Sequence, residues 1–215
     1  MREQFNAELE VLHTHLVKMG VIVEDMVGKS ILALKDKNHE LAREIIELDD
    51  KVDDLEDKIE QKCVELIALY QPVAKDLRRI TSTLKIITDL ERMGDYVEDI
   101  AEIVIGMDEK EFVKPLVNLP QMTKNVQMMI HDSLDSFVNE DMEMAKAVAK
   151  KDDEIDGIYE KMYEELLSIL ITKQSEKKQI IELLLIGRYL ERIADHNTNI
   201  CERIIYMVSG ERVQY

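Results

Sequence analysis

DLERMGDYVEDIAEIV at residues 89–104 and YLERIADHNTNICERI at 189–204 are one segment written twice. At an offset of 100 they share Leu90/Leu190, Glu91/Glu191, Arg92/Arg192, Asp95/Asp195, Ile100/Ile200 and Glu102/Glu202. Upstream, LDDKVDDLEDKI at 48–59 lies over KDDEIDGIYEKM at 151–162 at an offset of 103, matching Asp49 to Asp152 and Asp53 to Asp156. The changed offset puts a length difference of three residues between QPVAKDLRR and TKQSEKK, where a turn belongs. A repeat of this length makes the chain two copies of one supersecondary unit.

The repeated unit is helical. In the first copy Phe5, Leu9, Leu12, Leu16, Met19, Val23, Val27, Ile31 and Leu34 step by threes and fours, which predicts a helix over 3–35. Asn38 is the expected N-cap of a second helix running to Tyr70, and Asp141 plays the same part in the second copy. Pro72 stops the second helix and a third follows over 74–105. GMDEKEFVKPLVNLP at 106–120 separates the copies, and helices are expected over 120–139, 141–172 and 175–209. The fold class is therefore all-α: two tandem three-helix bundles, 1–110 and 111–215, related by a pseudo-twofold axis. Seven Gly, three Pro, no Trp, three Phe and seven Tyr fit that reading and disfavour a β-sandwich or barrel.

The charge balance excludes several functions. With 45 acidic against 28 basic residues the formal net charge is −17, leaving no basic stripe for nucleic acid or anionic lipid. Cys63 and Cys201 have no metal or redox spacing, which suggests a reducing compartment. The opening MREQFNAELE is too polar for a signal peptide, and IIELLLIGRYL at 180–190, the most apolar stretch, carries Glu182 and Arg188. A cytoplasmic protein without membrane insertion is expected.

Chemistry concentrates in the repeated acids. Residues four apart share a helix face, so Glu91 pairs with Asp95, Glu191 with Asp195, Asp49 with Asp53 and Asp152 with Asp156. Asp99 and Asn199 extend the rows on the third helices. Roughly nine such pairs arise by chance at this acid content, and most belong to solvated faces. These pairs stand out because they recur while neighbours change, Asp54 to Gly157, Tyr96 to His196 and Glu98 to Thr198. Crowded carboxylates raise one another's pKa unless a cation neutralises them, and oxygen-only donors suit hard ions. Arg92 and Arg192 offer the competing answer, an ionic network without metal. His13, His15, His39, His131 and His196 form no ligand spacing and are expected at the surface. Gly94 and Gly187 are expected to permit close helix packing.

With QFNAELE at 4–10, QPVAKDLR at 71–78, LERMGDYVEDI at 90–100 and LERIADHNTNICE at 190–202, the chain resembles the PhoU family over its full length. That resemblance implies two three-helix bundles, a homodimer, and metal ions (iron, zinc, manganese or magnesium) at the acidic motifs. Carried over, the metal-binding residues are Asp49, Asp53, Glu91, Asp95 and Asp99, with Asp152, Asp156, Glu191, Asp195 and Asn199 in the second copy. It further implies a negative regulator of phosphate transport and of the phosphate-starvation response. Its partners would be the ATPase subunit of the phosphate ABC transporter and a phosphate-sensing histidine kinase. A cytosolic metal-binding bundle with no signalling role is the alternative. A ferritin-like di-metal enzyme would need inward Glu-x-x-His motifs, which do not recur at matching positions in both copies.

Overall fold

The structure is a computed structural model describing residues 2–108 and 110–215. Its helices are α1 (Arg2–Asp36), α2 (His39–Tyr70), α3 (Ala74–Gly106), α4 (Asn118–Asn139), α5 (Met142–Ala149), α6 (Asp152–Thr172) and α7 (Lys177–Ser209), with a 3₁₀ turn at Gln174–Glu176 before α7. No strand occurs among the described residues. The turns are built as their residues dictate. Asn38 Oδ1 accepts from the amides of Glu40 (3.1 Å) and Leu41 (3.0 Å), and Asp141 Oδ1 accepts from those of Glu143 and Met144, both at 3.0 Å. Past Tyr70 the chain turns through Gln71, whose φ of 47° is left-handed, and Pro72 bars any continuation of α2. The apolar stripe of α1 is buried as its spacing predicts, Leu12, Leu16, Met19 and Val23 completely.

One expectation is corrected. The middle helix of the second copy does not run unbroken over 141–172; it divides at Lys150 and Lys151 into α5 and α6. Both residues stay right-handed, but the Lys151 amide donates to Val148 O (2.9 Å) and the Glu154 amide to Lys151 O (3.1 Å), a tighter turn than α-helix. The equivalent residue in α2 is Leu48, which packs on the core. Lys151 has no such use for the core; its Nζ reaches Asp132 on α4 at 2.7 Å.

The halves pack mainly through α3 against α7 and secondarily through α1 against α4. Contacts along the α3–α7 seam reveal the symmetry. Asp89 Oδ1 accepts from Asn199 Nδ2 (3.2 Å), and the Asp99 carboxylate accepts from the Tyr189 hydroxyl. At an offset of 100 these are one contact viewed from each copy. The Tyr96–Tyr189 stack (5.7 Å between ring centroids) likewise mirrors His196 Nδ1 lying 2.9 Å from Asp89 Oδ1. The two helices are thus antiparallel about a pseudo-twofold axis. The linker between the halves is pinned: the buried amide of Gln179 accepts from Val113 N (2.7 Å) and donates to Glu111 O (3.2 Å). Lys37 and Lys178 donate to Asp108 O (2.7 Å) and Gly106 O (2.8 Å).

Candidate metal centre

Each bundle carries an acidic groove between its second and third helical segments, α2 and α3 in the first half, α6 and α7 in the second. In the first, Asp49 lies on the floor, only 5% exposed, and its Oδ1 has no hydrogen-bond partner. Gly94 makes room for it: a Cβ there would stand 2.5 Å from Asp49 Oδ1. Burial first, then the charges of Glu98, Asp53, Asp95 and Glu91, push the Asp49 carboxyl up to about 7. Asp53 and Glu91 are also raised, by desolvation and then by Asp95. Arg92 lies along the rim, 2.8 Å from Asp95 and 3.3 Å from Glu91.

The second groove repeats the plan. Asp152 Oδ1 is buried without a partner, and burial, then Asp156, Asp195 and Glu191, push its carboxyl up to about 7. Arg192 Nη1 is 3.1 Å from Asp195, and Arg188 pairs with Glu191.

The structure therefore brings together Asp49, Asp53, Glu91 and Asp95 in one groove and Asp152, Asp156, Glu191 and Asp195 in the other. Asp99 and Asn199 lie instead on the α3–α7 seam, bonded to Tyr189 and Asp89. Each four-residue step advances roughly 40° around a helix, so by the second step the row has turned off the groove. Seven residues nearly close two turns, and that spacing finds two acids the i,i+4 rule missed. Glu98, seven after Glu91, acts on Asp49, and Glu56, seven after Asp49, acts on Glu91. Gly94 and Gly187 both allow the close helix packing expected of them: a Cβ on Gly94 would stand 2.5 Å from Asp49 Oδ1 and 3.5 Å from Val52 Cγ1 on α2, and one on Gly187 would run into Met162 Cε. Gly94 in addition seats a carboxylate. The expectation of surface histidines changes in part, since His13 and His196 are half-buried: His13 meets the Phe137 ring edge-on at 5.1 Å and burial lowers its pKa, while His196 reaches Asp89 across the seam.

Among the described residues no three His, Cys, Asp or Glu side chains already converge as a metal cage. The donor set nonetheless fits a cation: two aligned buried carboxylate oxygens lack any partner, and their surroundings are carboxylates, the chemistry of hard-ion sites. Asp49, Asp53, Glu91 and Asp95 would hold it in the first groove, Asp152, Asp156, Glu191 and Asp195 in the second, after side-chain rotation. Bound there, a cation would supply charge neutralisation between the helices.

The family model for the PhoU domain matches this chain twice, over residues 16–104 and 119–204, one match per acidic groove. The chain belongs to the PhoU family. The phosphate-specific transport system accessory protein PhoU homolog of Clostridium acetobutylicum is 39% identical over 213 residues, covering 99% of this chain and 97% of that one. The phosphate-specific transport system accessory protein PhoU of Escherichia coli (strain K12) is 34% identical over 208 residues, covering 97% and 86%. The crystal structure of PhoU from Pseudomonas aeruginosa superposes with a TM-score of 0.93 at 36% identity, covering 96% of this chain and all of that one (100%). The phosphate transport system regulatory protein PhoU from Streptococcus pneumoniae gives 0.91 at 34%, covering 98% and 100%. Both PhoU domains of this chain contain one acidic groove each, and no helix among the described residues is long and apolar enough to cross a membrane.

Proposed function

We propose that this chain is the cytoplasmic accessory regulator of a phosphate-specific transport system, restraining uptake and the phosphate-starvation response while phosphate is plentiful. The observation that carries the reading is the end-to-end match to proteins named as accessory to that system. It works by contact with the transporter's ATPase subunit and a phosphate-sensing histidine kinase, as a homodimer, and turns over no substrate. No nucleophile paired with a base and no strand–glycine loop for nucleotide was found in the sequence, in keeping with a binding role. An acidic bundle with net charge −17 suits basic protein surfaces beside a membrane, and such contact weakens as salt rises.

Metal at the two grooves belongs to the same proposal. A hard or borderline cation, iron, zinc, manganese or magnesium, would draw α2 toward α3 and α6 toward α7 and fix the surface that partners read. The partnerless Asp49 oxygen also favours a second reading, a cytosolic metal-binding bundle with no signalling role. Deleting the gene and reading a starvation-response reporter in high phosphate separates the two. Constitutive induction, reversed by the intact chain and accompanied by capture of the ATPase or kinase, is expected of the regulator. An unchanged reporter with metal still bound leaves the second reading.

A further inference from the structure

The two grooves share four aligned acids and an aligned arginine, Arg92 or Arg192, and differ in several of the residues around them. Glu56 and Glu98 of the first are replaced by Tyr159 and Thr198 in the second. Thr88, near Glu56 in the first, is replaced by Arg188. Arg188 pairs with Glu191 and its charge also reaches Asp156 and Tyr159, so it sits over the second groove rather than beside it. Six acids (Asp49, Asp53, Glu56, Glu91, Asp95 and Glu98) therefore face Arg92 in the first groove. In the second, Asp152, Asp156, Glu191 and Asp195 face both Arg188 and Arg192.

The floors differ too. Gly94 lets Asp49 sink until it is 95% buried, with Oδ1 lacking a partner and facing the other acids. The matching residue on α7 is Ala194, which carries a Cβ at the position where a Cβ on Gly94 would run into Asp49. Asp152 accordingly stays only half-buried.

We infer that the first groove is the tight cation site, and that in the second Arg188 does the neutralising that a metal ion does in the first. The inference rests on the metal reading above and deepens it. A guanidinium cannot be deprotonated in a protein, so its charge opposes an entering cation at every accessible pH. Both grooves hold a partnerless carboxylate oxygen, but a cation entering the first meets six acids against one arginine and the more deeply buried Asp49. One entering the second must displace an ion pair and oppose a fixed positive charge.

The test is a Mn²⁺ titration of the full-length chain, stripped with chelator, with free Mn²⁺ read by electron paramagnetic resonance and bound metal by elemental analysis after dialysis. The intact chain should show one tight equivalent and a second at least tenfold weaker. Asp49→Asn should remove the tight equivalent, and Asp152→Asn should spare it. Arg188→Thr should tighten the weak equivalent at least tenfold, and Thr88→Arg should loosen the tight one. Arg188 is partly exposed and Thr88 exposed, so neither exchange removes core packing, and circular dichroism checks the fold of each. Two equal sites unmoved by Arg188→Thr, or loss of the tight site in Asp152→Asn, overturns the inference and leaves the metal reading standing. No bound Mn²⁺ in any variant overturns both.

Discussion

Asp49 holds its proton in the folded chain up to about pH 7, whereas an aspartate in the unfolded chain releases it near 4. A folded value above the unfolded one gives a contribution to stability that is fully present below about pH 4 and lost as pH rises through about 7. Asp152, also pushed up to about 7, adds a contribution of the same sign. The metal-free protein should therefore melt at a lower temperature at pH 8 than at pH 5, and added Mn²⁺ should flatten that dependence. Asp49→Asn should raise the melting temperature of the metal-free chain at pH 8, since it removes the repulsion, and should cut the stabilisation by Mn²⁺. Differential scanning calorimetry in chelator and in Mn²⁺ checks both; a melting temperature that rises with pH in chelator contradicts the charge argument. The acid pairs were legible because they recur across the repeat. Which member sinks follows from helical phase: Asp49 falls in the buried stripe of α2 between Ile45 and Val52, Asp50 is exposed, and Gly94 opens the seat that Asp49 fills.

The helices follow from local signals wherever the deciding residue acts on its own backbone. Asn38 and Asp141 each tie down two amides, and removing either cap to alanine should cost about 1 kcal/mol. Urea melts should show the midpoint falling with an unchanged slope; no loss in either variant would mean the caps contribute nothing. Pro72 and the apolar stripe of α1 were readable for the same reason. The break between α5 and α6 was not, because it depends on Lys151 reaching Asp132 on α4, a tertiary contact that leaves no trace in periodicity. Asp99 and Asn199 were misjudged by helical phase: the drift that takes them off the groove is built into the helix, and the seven-residue spacing to Glu98 shows it.

Across the whole molecule the linker segment at 111–113 is tied to the second half by Gln179, which bonds it at two backbone points from within the packed face of α7. Gln179→Ala removes a partner from the Val113 amide and should cost roughly 1–3 kcal/mol. It should also speed tryptic cleavage at Lys110 (Lys114 precedes Pro115 and is not a tryptic site) while leaving helices elsewhere protected; cleavage no faster than in the intact chain would show that the segment is held by other contacts. The binding of transporter ATPase proposed above should weaken between low and physiological salt, since long-range attraction by exposed acids is screened over about 8–10 Å.

The seam between α3 and α7 pits Asp89 against Asn199 and Tyr189 against Asp99. Were two first halves to meet face to face in the same way, Asp89 would confront Asp99 on both sides of the axis, carboxylate against carboxylate. A pair of second halves would set Tyr189 against Asn199 and lose both anionic acceptors. The seam is therefore heterotypic, a lock and key carried by one chain, in which each half accepts its sibling and would refuse its twin.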